Sequence, residues 1–273
     1  MIFGAAFGIY GAFKYRGMIR QQRQEAKRPE ISVTLLEGWT NQDIDENLAK
    51  KGVINPHDFL LALKNFDASG YNSIIPKQAE FNTQGFIFPD TYFVLKDPPS
   101  PTSISEIIIK KALDNFAKKV TPQMLAQAKN QGMDLFQIVT LASIIEKETG
   151  RQTATSAQKQ ALDDERKIIS GIFYNRLAKG MPLQSDATIN YITGKNSPSV
   201  SDQDTQINSP YNTYKYPGLP PGPICNPSLS SIMAAVYPEK TDYFYFLHDQ
   251  ATGQAVYAKT YQEHLANKQT YLK

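Results

Sequence analysis

Two carboxylates close an apolar stretch, Leu135-Phe-Gln-Ile-Val-Thr-Leu-Ala-Ser-Ile-Ile-Glu146-Lys-Glu148-Thr149, and are the residues best suited to acid–base chemistry. On a helix turning about 100° per residue, Glu146 falls between Leu135 and Val139 and one turn after Ala142, inside the apolar stripe. Glu148 points about 160° away. Burial strips water from a carboxylate, penalises its charged form and raises its pKa toward the range a general acid needs at neutral pH. Glu146 is therefore the expected acid. The same position also suits a glutamate that snorkels to water or pairs with Arg166 or Arg176, and phase alone leaves both readings open. Glu148 is expected to be solvated or ion-paired.

Two further clusters carry polar groups on constrained backbone. Gly180-Met-Pro-Leu-Gln184-Ser185-Asp186-Ala-Thr188 offers amide, hydroxyl and carboxylate groups suited to a hydroxyl-rich ligand, although Asp186 and Thr188 equally suit the cap of a following helix. Ser209-Pro-Tyr211-Asn212-Thr213-Tyr214 runs into Tyr216-Pro-Gly-Leu-Pro-Pro-Gly222, a long stiff loop with aromatic faces and amides. Such a loop is either a sugar-binding element or a turn-rich connector. His248 and His264 read as structural, and Cys225, between prolines in sequence, reads as a small buried filler. With one cysteine and three well-separated histidines (His57, His248, His264), no disulfide framework and no sequence-local metal motif exists. No metal or cofactor is expected.

The elements that must position these groups follow from periodicity. Alternation in Ile31-Ser-Val-Thr-Leu35 predicts a strand that ends in the turn Glu37-Gly-Trp-Thr40. Thr40 then caps a helix through Ile44 and Leu48, and Pro56 opens another through Phe59 and Leu63. Gly85-Phe-Ile-Phe-Pro-Asp-Thr-Tyr92 reads as a turn bounded by apolar residues. Helical spacing covers Ile104 to Val120, Pro122 to Asn130, Leu135 to Glu148, Arg166 to Leu177 and Ser228 to Val236. The stretch from Gly150 to Asp164 reads as a polar insertion, either a lid or an idle loop. Tyr243-Phe-Tyr-Phe-Leu247 and Ala255-Val-Tyr257 have the composition of an aromatic hairpin. Segregated helices and strands indicate an α+β fold.

The chain of 273 residues is long enough for a sizeable core. Its 29 Lys plus Arg nearly balance 26 Asp plus Glu, which argues against a nucleic-acid partner. Met1 to Phe13 carry no charge, and Lys14, Arg16, Arg20, Arg23, Lys27 and Arg28 follow. As a helix the apolar stretch reaches about 20 Å against a hydrocarbon core of roughly 30 Å, so it reads as the end of a membrane anchor that begins upstream of Met1. Basic residues placed after it run against the positive-inside rule for a chain whose remainder lies outside the cytoplasm.

Taken in order, Glu37-Gly-Trp-Thr, Gly85 to Tyr92, Ala142-Ser-Ile-Ile-Glu-Lys-Glu-Thr149, Asn175 to Asp186, Tyr211-Asn-Thr-Tyr214 and Gly218-Leu-Pro-Pro-Gly222 resemble the endolytic murein transglycosylase, or YceG-like, family. The resemblance implies a partial anchor and basic stalk over 1–28, a small LysM-like β/α module over 31–95 and a catalytic α+β domain over 102–273 with the C-terminal hairpin. A further LysM-like unit, usual before the Glu-Gly-Trp-Thr module, is absent or reduced. It implies a bacterial cytoplasmic-membrane protein with a single pass, its catalytic domain on the cell-wall side, working close to peptidoglycan synthases. The implied reaction cuts glycan strands between N-acetylmuramic acid and N-acetylglucosamine, with Glu146 as acid and then base. Gln184, Ser185, Asp186, Asn212, Thr213 and Tyr214 would line the glycan cleft. Two other functions stay open: a hydrolytic muramidase using Asp186 as second carboxylate, and a noncatalytic wall-binding scaffold.

Overall fold

A computed structural model describes residues 29–72, 74–75, 83–151, 153–195, 197 and 199–272. The anchor and basic stalk expected over 1–28 lie outside the described residues. Among the described residues no helix is long and apolar enough to cross a membrane.

Strand β1 (Glu30–Thr34) forms where alternation predicts it, and its partner is β2 (Thr91–Leu95). The two pair antiparallel with Val33 opposite Tyr92, so that Val33, Tyr92 and Val94 turn inward while Thr34 and Phe93 turn out. β2 follows directly on the segment read as a turn, and its alternation marks a half-covered strand. Helix α1 (Asn41–Lys50) starts in a capping box between Thr40 and Asp43, and α2 (Asp58–Asn65) packs beside it. Helices α3 (Ile104–Lys119) and α4 (Pro122–Asn130) follow, α3 lying on β2 and α2.

Helix α5 (Leu135–Thr149) is the centre of the fold. Asp134 and Gln137 box its start, and Ile138 through Glu146 are all buried beneath the helices around it. Its neighbours are α6 (Ser156–Ala178), α7 (Asp186–Thr193) and α8 (Leu229–Val236). The segment read as a polar insertion is largely helix: a capping box between Thr155 and Gln158 starts α6, and the first turns carry exposed polar residues because nothing covers them. Gly171 lets α6 approach the chain near residue 239, since a Cβ there would sit 2.1 Å from the Glu239 carbonyl oxygen. The aromatic hairpin forms as β3 (Tyr245–His248) and β4 (Ala255–Ala258), antiparallel, covered by α9 (Tyr261–Tyr271).

One apolar cluster joins the sheet of β1 and β2 to α5. Phe86 is its link: fully buried, it lies 5.1 Å from Phe116 of α3 and 6.4 Å from Phe136 of α5, ring centre to ring centre. Burying a side chain of that size contributes about 1.5–3 kcal/mol. Gly85 permits the approach, with a positive φ of 93° and room for no Cβ between Pro223 and Val139.

Candidate active site

The N-terminal turn is tied to the far end of the chain by one side chain. Asn226 Oδ1 accepts the backbone N–H groups of Gly85 and Ile87, while its Nδ2 donates to the Trp39 carbonyl and to Asn41 Oδ1. Backbone bonds from Gly38 to Asn226 and from Asn226 to Trp39 complete the junction. Gln84 adds to it, donating to the Pro223 carbonyl and the Tyr191 hydroxyl and accepting from Asn41 N–H. Residues 37–41, 83–87 and 223–226 thus form a floor on which a cleft opens.

That cleft has a volume of about 1880 Å³, well above the roughly 300–1,000 Å³ of an ordinary small-molecule site. Trp39, Glu148, Arg176, Gln184, Asp186, Tyr214 and His248 are among the side chains on its walls. Glu148 comes from the last turn of α5, where the negative helix end disfavours a second negative charge. Its Oε1 accepts a short hydrogen bond from Ser185 Oγ. Burial raises the Glu148 pKa above the ordinary carboxylate value and the charge of Asp186 adds to this; the Ser185 hydrogen bond, His248 and Arg176 oppose it without cancelling it. A carboxyl so placed keeps its proton to higher pH than a solvated one.

The surrounding groups are fixed from behind. Arg176 is buried, donates through Nε to the Phe244 carbonyl (2.6 Å) and through Nη1 to that of Leu183 (2.5 Å), and lies 5.3 Å over the Tyr245 ring. Tyr214 donates its hydroxyl to Asp186 Oδ1 in a short bond, and burial together with that carboxylate pushes the phenol pKa well up, so it remains a donor. His248 Nε2 lies 3.1 Å from Glu165 Oε1, and Arg151 grips the same carboxylate through both terminal nitrogens. Burial works to raise Glu165, but the His248 and Arg151 hydrogen bonds outweigh it and hold its pKa low.

Glu146 is buried, as its helical phase predicts, and sits in different surroundings. It is 3% exposed and is not among the cleft residues. Its Oε2 accepts Ser228 N–H (2.9 Å), Ser228 Oγ (2.5 Å) and Ser231 Oγ (2.7 Å), and Oε1 lies 3.5 Å from Arg166 Nη2. Arg166 also donates to Thr149 Oγ1 and to Asp163. Glu146 thus pins the start of α8 to α5. Glu148, expected to be solvated or ion-paired, is half-buried and held by Ser185.

The six expected ligand-lining residues divide into two sets. Gln184, Asp186 and Tyr214 line the cleft. Ser185, Asn212 and Thr213 are buried and build the walls instead. Thr213 Oγ1 accepts Ser185 N–H and bonds Thr188 Oγ1, and its carbonyl accepts Gln184 N–H, which holds Gln184 at a positive φ of 50°. Asn212 donates to the Thr205 and Ile207 carbonyls and accepts Tyr214 N–H, closing the long loop on itself. Asp186 opens α7, but its carboxylate serves Tyr214 and no side-chain cap forms. Cys225 is buried filler beside the Ser143 carbonyl, and burial pushes its thiol pKa far up. Sequence reasoning did not bring Arg176, His248 or Asn226 to the cleft or its floor, and His248 read as structural. No group of metal-ligating side chains occurs among the described residues.

Comparison with known proteins matches this architecture. A crystal structure at 2.6 Å of a putative YceG-like protein from Listeria monocytogenes superposes with a TM-score of 0.71 at 33% identity, covering 92% of this chain and 80% of that one. A Bacillus subtilis (strain 168) protein named endolytic murein transglycosylase is 37% identical over 209 residues, which is 77% of this chain and 53% of that protein. A protein of the same name from Streptococcus pneumoniae serotype 2 is 35% identical over 194 residues, 69% of this chain and 32% of that protein. The chain therefore spans about half the length of the first relative and about a third of the second. The sequence matches the YceG-like family over residues 7–270, and with that match across the cleft, its walls and its floor, the chain belongs to the YceG-like family.

Proposed function

We propose that the chain is a lytic transglycosylase that cuts peptidoglycan glycan strands internally at the β-1,4 bond between N-acetylmuramic acid and N-acetylglucosamine. The observation that carries the reading is Glu148: a half-buried carboxyl with a raised pKa, on the wall of a cleft large enough for several sugars. The names of the relatives supply the substrate class.

In the proposed reaction, protonated Glu148 gives its proton to the glycosidic oxygen as the bond from that oxygen to the muramyl anomeric carbon breaks. The carboxylate left behind takes the proton of the muramyl 6-hydroxyl, whose oxygen attacks the same carbon and closes a 1,6-anhydro ring. Glu148 ends protonated, ready for another cycle, and no water is consumed. Intramolecular attack replaces an activated water, so one carboxylate serves twice. Arg176, His248, Gln184 and Tyr214 are the donors placed to hold the strand and its developing charge. A hydrolytic route needs a second carboxylate free to activate water, and Asp186 is engaged by Tyr214.

Mass spectrometry of muropeptides after digestion by the parent protein, Glu148→Gln and Glu146→Gln tests substrate, reaction and acid together. Anhydro ends that vanish with Glu148→Gln are expected; reducing muramic ends would indicate hydrolysis, and unchanged processing by Glu148→Gln would indicate a scaffold. The apolar stretch before Lys14 further supports a membrane-held protein, and the proposed glycan substrate puts its cleft on the cell-wall side. A strand-terminating role beside peptidoglycan synthases completes the proposal, and membrane fractionation with crosslinking tests both.

A further inference from the structure

Beyond Glu148 the cleft continues along the C-terminal hairpin and α9, where its character changes from amide and carboxyl groups to aromatic rings. Tyr245, Tyr261 and His264 all line it there. Tyr245 lies 5.3 Å from His264, nearly parallel at 25°, and 5.8 Å from Tyr261, which in turn lies 6.4 Å from His264. Burial lowers the His264 pKa, with the charges of Lys268 and Arg176 acting the same way. Its Nδ1 is buried without a hydrogen-bond partner. The imidazole stacks on Tyr245 as the third ring of the group. Tyr261 is 53% exposed, which is unusual for a ring packed into an aromatic cluster unless its open face has a use.

Rings grouped in this way offer flat, rigid, weakly polar faces that meet the C–H face of a pyranose while Tyr hydroxyl groups remain free to bond its hydroxyls. We infer that the open ring of Tyr261, backed by Tyr245 and His264, forms a sugar-stacking subsite on the α9 side of the cleft, which binds a pyranose ring of the same strand away from the bond cut at Glu148. The inference rests on the glycan reading above and adds to it a reason for internal cutting: the subsite engages only when the strand extends past the reaction centre toward α9.

Titration calorimetry on the Glu148→Gln protein separates binding from turnover. With purified long glycan strands, adding Tyr261→Ala is expected to weaken binding about tenfold, while Tyr261→Phe, which keeps the ring, stays within about twofold. Binding of a disaccharide, too short to extend past the reaction centre, is expected to be unchanged by either. A long-strand Kd within about twofold of the parent in the Tyr261→Ala protein overturns the subsite. So does an equal loss for disaccharide and long strand, which would assign Tyr261 to the reaction centre or to folding. Length-dependent binding without any product from the parent protein would leave the subsite standing and remove the reaction; anhydro products with no Tyr261 effect would do the reverse.

Discussion

Glu146 and Glu148 are two residues apart on one helix, yet they occupy opposite kinds of surroundings. Glu146 has both oxygens engaged by two serines, a helix start and an arginine. Glu148 has one short bond to Ser185, a neighbouring carboxylate at Asp186 and open cleft beyond. Burial alone therefore does not make an acid. A buried carboxylate surrounded by donors is suited to anchoring, while one held by a single hydrogen bond at an open cleft is suited to the proton transfer proposed.

The largest expected effect tests this contrast directly. Glu148→Gln should lower turnover of glycan strands by about 10³-fold or more, because it removes both acid and base. Glu146→Gln, assayed at a temperature where it is folded, should retain most activity; equal losses in both variants would break the comparison. Arg166→Ala should act on stability instead. It leaves Glu146 buried without its cation, and a loss of about 3–5 kcal/mol in urea unfolding is expected, whereas Ser185→Ala should cost only about 1–3 kcal/mol.

Asp186→Asn sharpens the comparison through pH. Its charge helps raise the Glu148 pKa, so removing it should lower that value and shift the alkaline limb of the activity profile to lower pH. A limb that stays in place or moves upward would exclude Glu148 as the titrating acid. The smallest effect concerns the fold itself. The folded state holds the Glu148 proton to a higher pH than the unfolded chain does, so this group makes stability fall as pH rises from the ordinary carboxylate value through the raised one. Thermal unfolding of Glu148→Gln should accordingly show a higher midpoint than the parent at neutral pH and little difference near about pH 3.

Local signals in the sequence carry most of the helices. Asp134 with Gln137 and Ser103 with Glu106 mark their own helix starts, and the apolar stripe of α5 is the core-facing stripe observed. Strand β2 was hidden because Pro89 and Asp90 precede it and its partner lies some sixty residues earlier. The first turns of α6 were hidden because an exposed helix has no apolar face to betray it, although its capping box was legible in Thr155 and Gln158. Which carboxylate lines the cleft was hidden for a deeper reason. Helical phase reports which side packs against other helices, whereas facing a cleft depends on where the 180–186 loop returns, 37 residues after Glu148 at its Ser185 contact.

The Asn226 junction carries a consequence for biosynthesis. Its bonds reach back 139 to 187 residues, to Ile87 and Trp39, so the floor cannot close while translation has yet to pass that codon. A nascent polypeptide therefore possesses its glutamate long before it possesses a vessel to keep the proton in. The floor arrives late, only after residue 226 is made, and a product terminated before that residue has no such vessel.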